Sequence, residues 1–195
     1  VEVLKKVKSA AIDANVKIAV ENHAGDMQSR ELVGLIEAAG PEFVGATIDS
    51  GNATWTLEDP IENLKNLGPH AVSSGIRDST AWLTDTGARV AWNAVGDGLV
   101  DWAEYTELFA KLCPGVPFQL EIISGFNKPF DFKNDEFWTA YPDVKAVDYE
   151  AFLRLARQGK PIASGNANDP KFQMQELLNS LKYCRDELKI GTNHS

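Results

Sequence analysis

Apolar and polar positions along the chain alternate between two periods. Over residues 2–14, EVLKKVKSAAIDA, the residues Val3, Leu4, Val7, Ala11 and Ile12 recur at helical spacing, and the β-branched run VKIAV follows as a strand expected to be buried on both faces. The pair then repeats. SRELVGLIEAAG predicts an amphipathic helix from Ser29 to a stop at Gly40, and FVGATID predicts a second strand that ends at Asp49. DPIENLKNLG gives a short helix and HAVSSGIRDS a less apolar third strand; VDWAEYTELFAKLC gives a further helix and VPFQLEI a fourth strand containing Glu121. Helices near 148–158 and 170–188 complete the pattern, separated by the Gly, Asn and Pro-rich stretch GKPIASGNANDP, and the terminal GTNHS is expected to fray.

Strands that alternate with helices predict a parallel sheet covered by helices, and such sheets bind ligands at the carboxyl ends of their strands. Here those ends are acidic. Glu21 ends the run in KIAVENHAGD, Asp49 follows the second strand and Glu121 sits in the fourth. Parallel strands in register bring the three carboxylates to one rim, where they repel by something on the order of several kcal/mol unless a cation lies among them; a hard divalent ion with oxygen ligands meets that need. Capping of the next helix, or pairing with Lys or Arg, is the competing explanation for any one of them. The segment SGFNKPFDFKNDEFWTAYPD is too long for a simple connection and is expected to lie as a loop over the sheet ends.

The composition narrows the partners. The chain has 195 residues, 44% of them apolar and 24% charged, enough for one buried core. Its net charge of −9 works against nucleic acid or an anionic membrane surface as the main partner. No apolar run approaches the roughly 20 residues of a spanning helix, and no signal-peptide layout is visible, so a cytoplasmic protein is expected. Cys113 and Cys184 lie in helix-like segments without metal-ligand spacing and fix no compartment.

In this order, VENHAGD, IDSGN, GIRDS, VGDGLVDW and LEIISG resemble the second half of the xylose isomerase-like (β/α)8 barrels, the sugar phosphate isomerase/epimerase group, whose fold and metal-site plan the endonuclease IV type of repair enzyme shares. The resemblance covers residues 1–125. It implies an α/β fold of TIM-barrel type, of which this chain supplies about the last four βα units and C-terminal helices: residues 1–160 as the C-terminal half of the barrel and 161–195 as linker and helical appendage. It also implies one divalent metal, Mn, Mg, Zn or Co, held by Glu21, Asp49 and Glu121. The family's strand-seven motif begins with a histidine ligand, and here the four positions read Gly75, Ile76, Arg77 and Asp78. A second position that often holds His is Asn52. Both changes remove nitrogen donors, which favours Mn or Mg over Zn. His70 precedes its strand and is expected at the other end. The further ligands of the endonuclease branch have no counterpart in RVAWNAVGDG, which excludes a trinuclear zinc site and DNA repair with it.

What the resemblance implies chemically is an isomerase or epimerase acting on a sugar, sugar phosphate or cyclic polyol, with Glu21 and Glu121 as base and acid. His23, Asn52 and Arg77 are the candidate substrate contacts, each with a plainer alternative: a hydrogen-bonded loop histidine, a turn residue and a salt-bridged arginine. Asp78 is expected to cap the next turn rather than to react. Trp82, Trp92, Phe126, Phe130, Phe132, Phe137 and Trp138 either line a sugar pocket or pack beneath the long loop. A carbohydrate-binding or regulatory protein with an eroded metal site, or a dehydratase, is the alternative on the same scaffold. A full barrel takes about 250 residues, so the expected partners are a missing N-terminal half-barrel or a second copy, beside the small-molecule ligand.

Overall fold

The computed structural model describes residues 1–163 and 165–191. Residues 192–195, on which most of the frayed-end expectation falls, lie outside them. Helix α1 (Glu2–Asp13) leads to strand β1 (Ile18–Glu21); α2 (Ser29–Ala39) leads to β2 (Val44–Ile48), and α3 (Pro60–Leu67) to β3 (Ala71–Ser74). These strands form one parallel sheet in the order β1-β2-β3. The helices start where the sequence supplies partners for their first N–H groups: Gln28 and Glu31 form a reciprocal box at α2, and Asp59 accepts from Ile61 N–H at the head of α3. Leu32, Ile36, Leu64 and Leu67 then bury one face of each helix against Val44, Ala46 and Ile48 of the sheet.

The ladder continues past β3. Gly75 N–H donates to Ile48 O at 2.8 Å, Ile76 N–H to Gln119 O at 2.6 Å, and Glu121 N–H to Ile76 O at 2.9 Å, which makes one parallel bridge between Ile76 and Leu120. The fourth predicted strand, VPFQLEI, is thus reduced to a bridge. Phe118, Leu120 and Ile122 are half-buried toward the core while Gln119 and Ile123 are exposed, so this segment is a sheet edge with a partner on one side only. The opposite edge shows the same thing. Ala19 is exposed and Ile18 and Val20 are half-buried, so β1 is not covered on both faces as its β-branched run predicts; it is an edge strand that pairs with β2 alone. The sheet of the described residues is open and forms no closed barrel.

A second sheet was not expected. Strands β4 (Asp78–Leu83), β5 (Ala88–Asn93) and β6 (Asn127–Phe130) pair antiparallel in the order β4-β5-β6. HAVSSGIRDS therefore belongs to two sheets, the chain turning from one into the other at Arg77 and Asp78. The long aromatic segment is likewise part strand and not simply a loop over the sheet ends. Gly87 is fixed by close approach: a Cβ there would lie 1.9 Å from Phe130 O. Phe130, Phe152, Tyr141, Leu57 and Trp55 fill the core between this sheet and α5 (Ala146–Gln158). That explains most of the predicted aromatic cluster as packing. Arg30 pairs with Asp148 at 3.2 Å and ties α5 to α2.

Helix α4 (Trp102–Leu112), capped by Asp101, packs Trp102, Tyr105 and Phe109 into the main core. Helix α6 (Pro170–Asp186) lies outside the parallel sheet. Its Ser180 Oγ accepts from Val95 N–H at 3.0 Å, and Gln173 exchanges hydrogen bonds with the backbone of Ser124. Among the described residues no helix is long and apolar enough to cross a membrane.

Candidate metal centre

The parallel register delivers Glu21, Asp49, Arg77 and Glu121 to one end of the sheet. Glu21 closes β1, Asp49 follows β2, and the bridge between Ile76 and Leu120 sets Arg77 beside Glu121. One ligand oxygen from each of Glu21, Asp49 and Glu121 lies within 4.8 Å of the others, the only such group among the described residues. Glu21 is half-buried, Asp49 is fully buried, and the Glu121 side chain is 44% exposed, so the centre opens to solvent on the Glu121 side.

Asp49 is the floor. Its backbone is clamped by the Asn22 side chain, which donates to Asp49 O and accepts from Asp49 N–H, both at 2.8 Å. Its Oδ1 accepts from the Gly51 and Asn52 N–H groups, and its Oδ2 from Asn52 Nδ2 at 2.8 Å. Asn52 Nδ2 also donates to Glu21 at 3.1 Å and so ties two of the carboxylates together. Burial pushes the Asp49 carboxyl up to about 7; the nearby Arg77 opposes that shift, and Glu121 and Glu21 add to it.

Arg77 supplies the positive charge. Its Nη2 lies 2.5 Å from Asp49 Oδ2 and 2.7 Å from Glu121 Oε1, and the side chain is almost wholly buried. Its guanidinium stacks 4.7 Å from the ring of Trp92, which in turn stacks on Trp55 at 4.2 Å. Two glycines make this seat. A Cβ at Gly51 would stand 2.3 Å from Arg77 Cγ, and one at Gly75 would stand 2.5 Å from Glu121 Oε2. Gly75 thus leaves open, beside Glu121, the space into which a larger side chain at that position would project.

Of the residues expected here, Glu21, Asp49, Asn52, Arg77 and Glu121 converge. His23 stands exposed on the loop after β1, and His70 pairs with Glu37 instead. Asp78 faces away from the centre: it accepts from the N–H groups of Ser79, Gly96, Gly98 and Val100, and from Trp102 Nε1 at 2.7 Å. It therefore organises the turn before α4, whose own cap is Asp101. Sequence reasoning missed Glu58, which is buried and accepts from Ser29, Thr56 and Asn63, joining the head of α2 to α3. Its acidic type beside the Asp59 cap hid that role. It also missed Trp92 as the platform for Arg77; alternation in RVAWN carries a strand signal that places Val90 and Trp92 on one face. A groove lined by Asp59, Glu62, Lys65, Glu104 and Arg154 lies on another part of the surface.

No family model matches the chain, and no curated protein does. Among solved structures it is similar to a xylose isomerase domain protein from Planctomyces limnophilus, with a TM-score of 0.52 and 18% sequence identity over 62% of this chain and 44% of that one. At that identity the likeness is one of fold. The chain spans less than half the length of the matched structure.

Proposed function

We propose that the chain carries the carboxylate centre of a divalent-metal-dependent isomerase or epimerase acting on a sugar, a sugar phosphate or a cyclic polyol. The observation that carries this reading is the meeting of Glu21, Asp49 and Glu121, from separate strands, within 4.8 Å on one rim of a parallel sheet. The fold that the chain shares with the xylose isomerase domain protein from Planctomyces limnophilus supports it. The residues also fit a dication chemically. With all three carboxylates ionised, they and the one guanidinium leave a net charge of −2, all donors are oxygens, and Asn52 Oδ1 is a buried acceptor without a hydrogen-bond partner. With Gly75 in place of an imidazole, hard ions such as Mn or Mg are favoured.

When bound, the ion would polarise the carbonyl and hydroxyl oxygens of the substrate. The proton steps belong to the side chains. One of Glu21 and Glu121 removes the proton from the carbon beside the carbonyl; in epimerisation the other returns a proton to that same carbon from the opposite face, and in isomerisation a proton returns to the former carbonyl carbon while the hydroxyl proton of the first carbon passes to the former carbonyl oxygen. Arg77 fixes a positive charge next to Glu121, which lowers the cost of negative charge developing there. Asn52 holds Glu21 in place through its 3.1 Å hydrogen bond. His23, exposed on the loop after β1, is the remaining candidate contact for substrate hydroxyls. Partners belong to the same proposal: the exposed β1 edge, with Val3, Val7 and Ile12 of α1, is to be completed by further barrel units or a second copy, which would bring the rest of the substrate pocket. A metal-free carbohydrate-binding protein is the second reading, favoured by the position of Arg77 between Asp49 and Glu121.

The test is calorimetric Mn²⁺ binding to chelator-treated protein, with NMR detection of solvent deuterium uptake into aldoses and ketoses. Mn²⁺ binding lost in Glu121→Gln and Asp49→Asn, together with metal-dependent exchange at a carbon-bound position, is expected. Sugar binding without metal binding or exchange would transfer the case to the second reading.

A further inference from the structure

We infer that Arg77 is a resident cation of the carboxylate centre that competes with a divalent ion for Asp49 and Glu121, so that removing its charge tightens metal binding. This deepens the reading above and rests on it in taking a divalent ion as the second cation. A single nitrogen, Nη2, bridges Asp49 Oδ2 and Glu121 Oε1 at 2.5 and 2.7 Å. Those residues also supply two of the three oxygens that converge within 4.8 Å. Both oxygens of Asp49 are already engaged, Oδ1 by the Gly51 and Asn52 N–H groups and Oδ2 by Arg77 and Asn52, so an ion drawing on all three carboxylates shares Asp49 with these donors and meets the guanidinium charge at close range in a largely buried setting.

Arg77 is not a surface arginine that happens to reach in. Its backbone N–H and C=O are both bonded to Ser50 Oγ, its stem fills the space left by Gly51, and Glu121 comes down over Gly75 to meet it. Trp92 backs the guanidinium at 4.7 Å. The seat is incomplete in one respect. Arg77 Nε is buried without a hydrogen-bond partner, as is Asn52 Oδ1, so the centre retains an unused donor and an unused acceptor that a second ion or a substrate hydroxyl would address. The arrangement has a chemical consequence: the protein holds its carboxylates together before any metal arrives, and the resident charge keeps affinity low enough for the ion to exchange.

The experiment is Mn²⁺ titration of the chelator-treated chain and of Arg77→Gln and Arg77→Lys, with circular dichroism to verify folding. Arg77→Gln is expected to bind Mn²⁺ about tenfold more tightly or better, whereas Arg77→Lys, which keeps the charge, stays near the parent. Equal or weaker binding by folded Arg77→Gln overturns the inference and leaves a metal-binding parent intact. Binding by Arg77→Gln alone upholds the competition and removes the metal-dependent reading of the parent. Binding by neither variant nor parent removes both. Should Arg77→Gln fail to fold, the parent carries the test: Mg²⁺ that displaces the guanidinium from Trp92 changes the tryptophan emission, and the change disappears in Trp92→Phe. Saturating Mg²⁺ without that change overturns the inference.

Discussion

Two buried aspartates one strand end apart are satisfied in opposite ways. Asp49 stands among charges, with Arg77 on one oxygen and Glu21 and Glu121 alongside. Asp78 takes its hydrogen bonds from N–H groups of Ser79, Gly96, Gly98, Val100 and Trp102. Burial raises both carboxyls, Asp49 to about 7 and Asp78 to about 6. A carboxylate saturated by backbone dipoles is locked into architecture. One balanced by a side-chain charge beside a solvent-facing glutamate can exchange that partner for another cation, which is what a binding centre needs.

The widest gap should appear on truncation. Asp78→Ala leaves several buried N–H groups without an acceptor and is expected to cost about 3 kcal/mol or more, read from urea unfolding. If it cost less than the loss of Arg77, the contrast between the two aspartates would break. Arg77→Gln is expected to cost about 2 kcal/mol near neutral pH, because Asp49 stays buried with its charged partner gone. That deficit should shrink toward pH 5, where Asp49 is protonated in the folded chain.

A pH series sharpens the same point. With Asp49 raised to about 7, the folded chain keeps a proton that the unfolded chain releases near pH 4. The stability from this group is complete below about pH 4 and is lost as pH rises through 7. In chelator, the melting temperature of the parent should therefore fall over that window, with Asp78 contributing to its lower part, and Asp49→Asn should flatten the upper part. The smallest effect belongs to His23. Exposed on its loop, it should change stability by under about 0.5 kcal/mol in His23→Ala and leave Mn²⁺ affinity alone, with any effect confined to sugar affinity.

The acidic strand ends were legible from the sequence because period and punctuation are local. An apolar run stopped by Glu21 or Asp49 announces a strand tip wherever the chain goes. The neighbouring elements were less legible. The pairing at Leu120 stops at a single bridge with Ile76, because the segment it pairs with leaves the first sheet there and enters β4 of the second at Asp78. The hairpin of β4 and β5 carries a turn signal in the Thr84 to Gly87 stretch, yet its direction against the first sheet depends on packing over Phe130 and α5.

By itself, then, the sequence determined the alternation of helix and strand, the acidic rim and the absence of a histidine at Gly75. Tertiary structure decided how that rim is neutralised. The contact of Arg77 with Asp49 and Glu121 joins residues 28 and 44 positions apart along the chain. It exists because two glycines clear its path and a tryptophan from another sheet supports it. Charge type is written residue by residue; which charges meet is set by register and close packing, which no local pattern encodes.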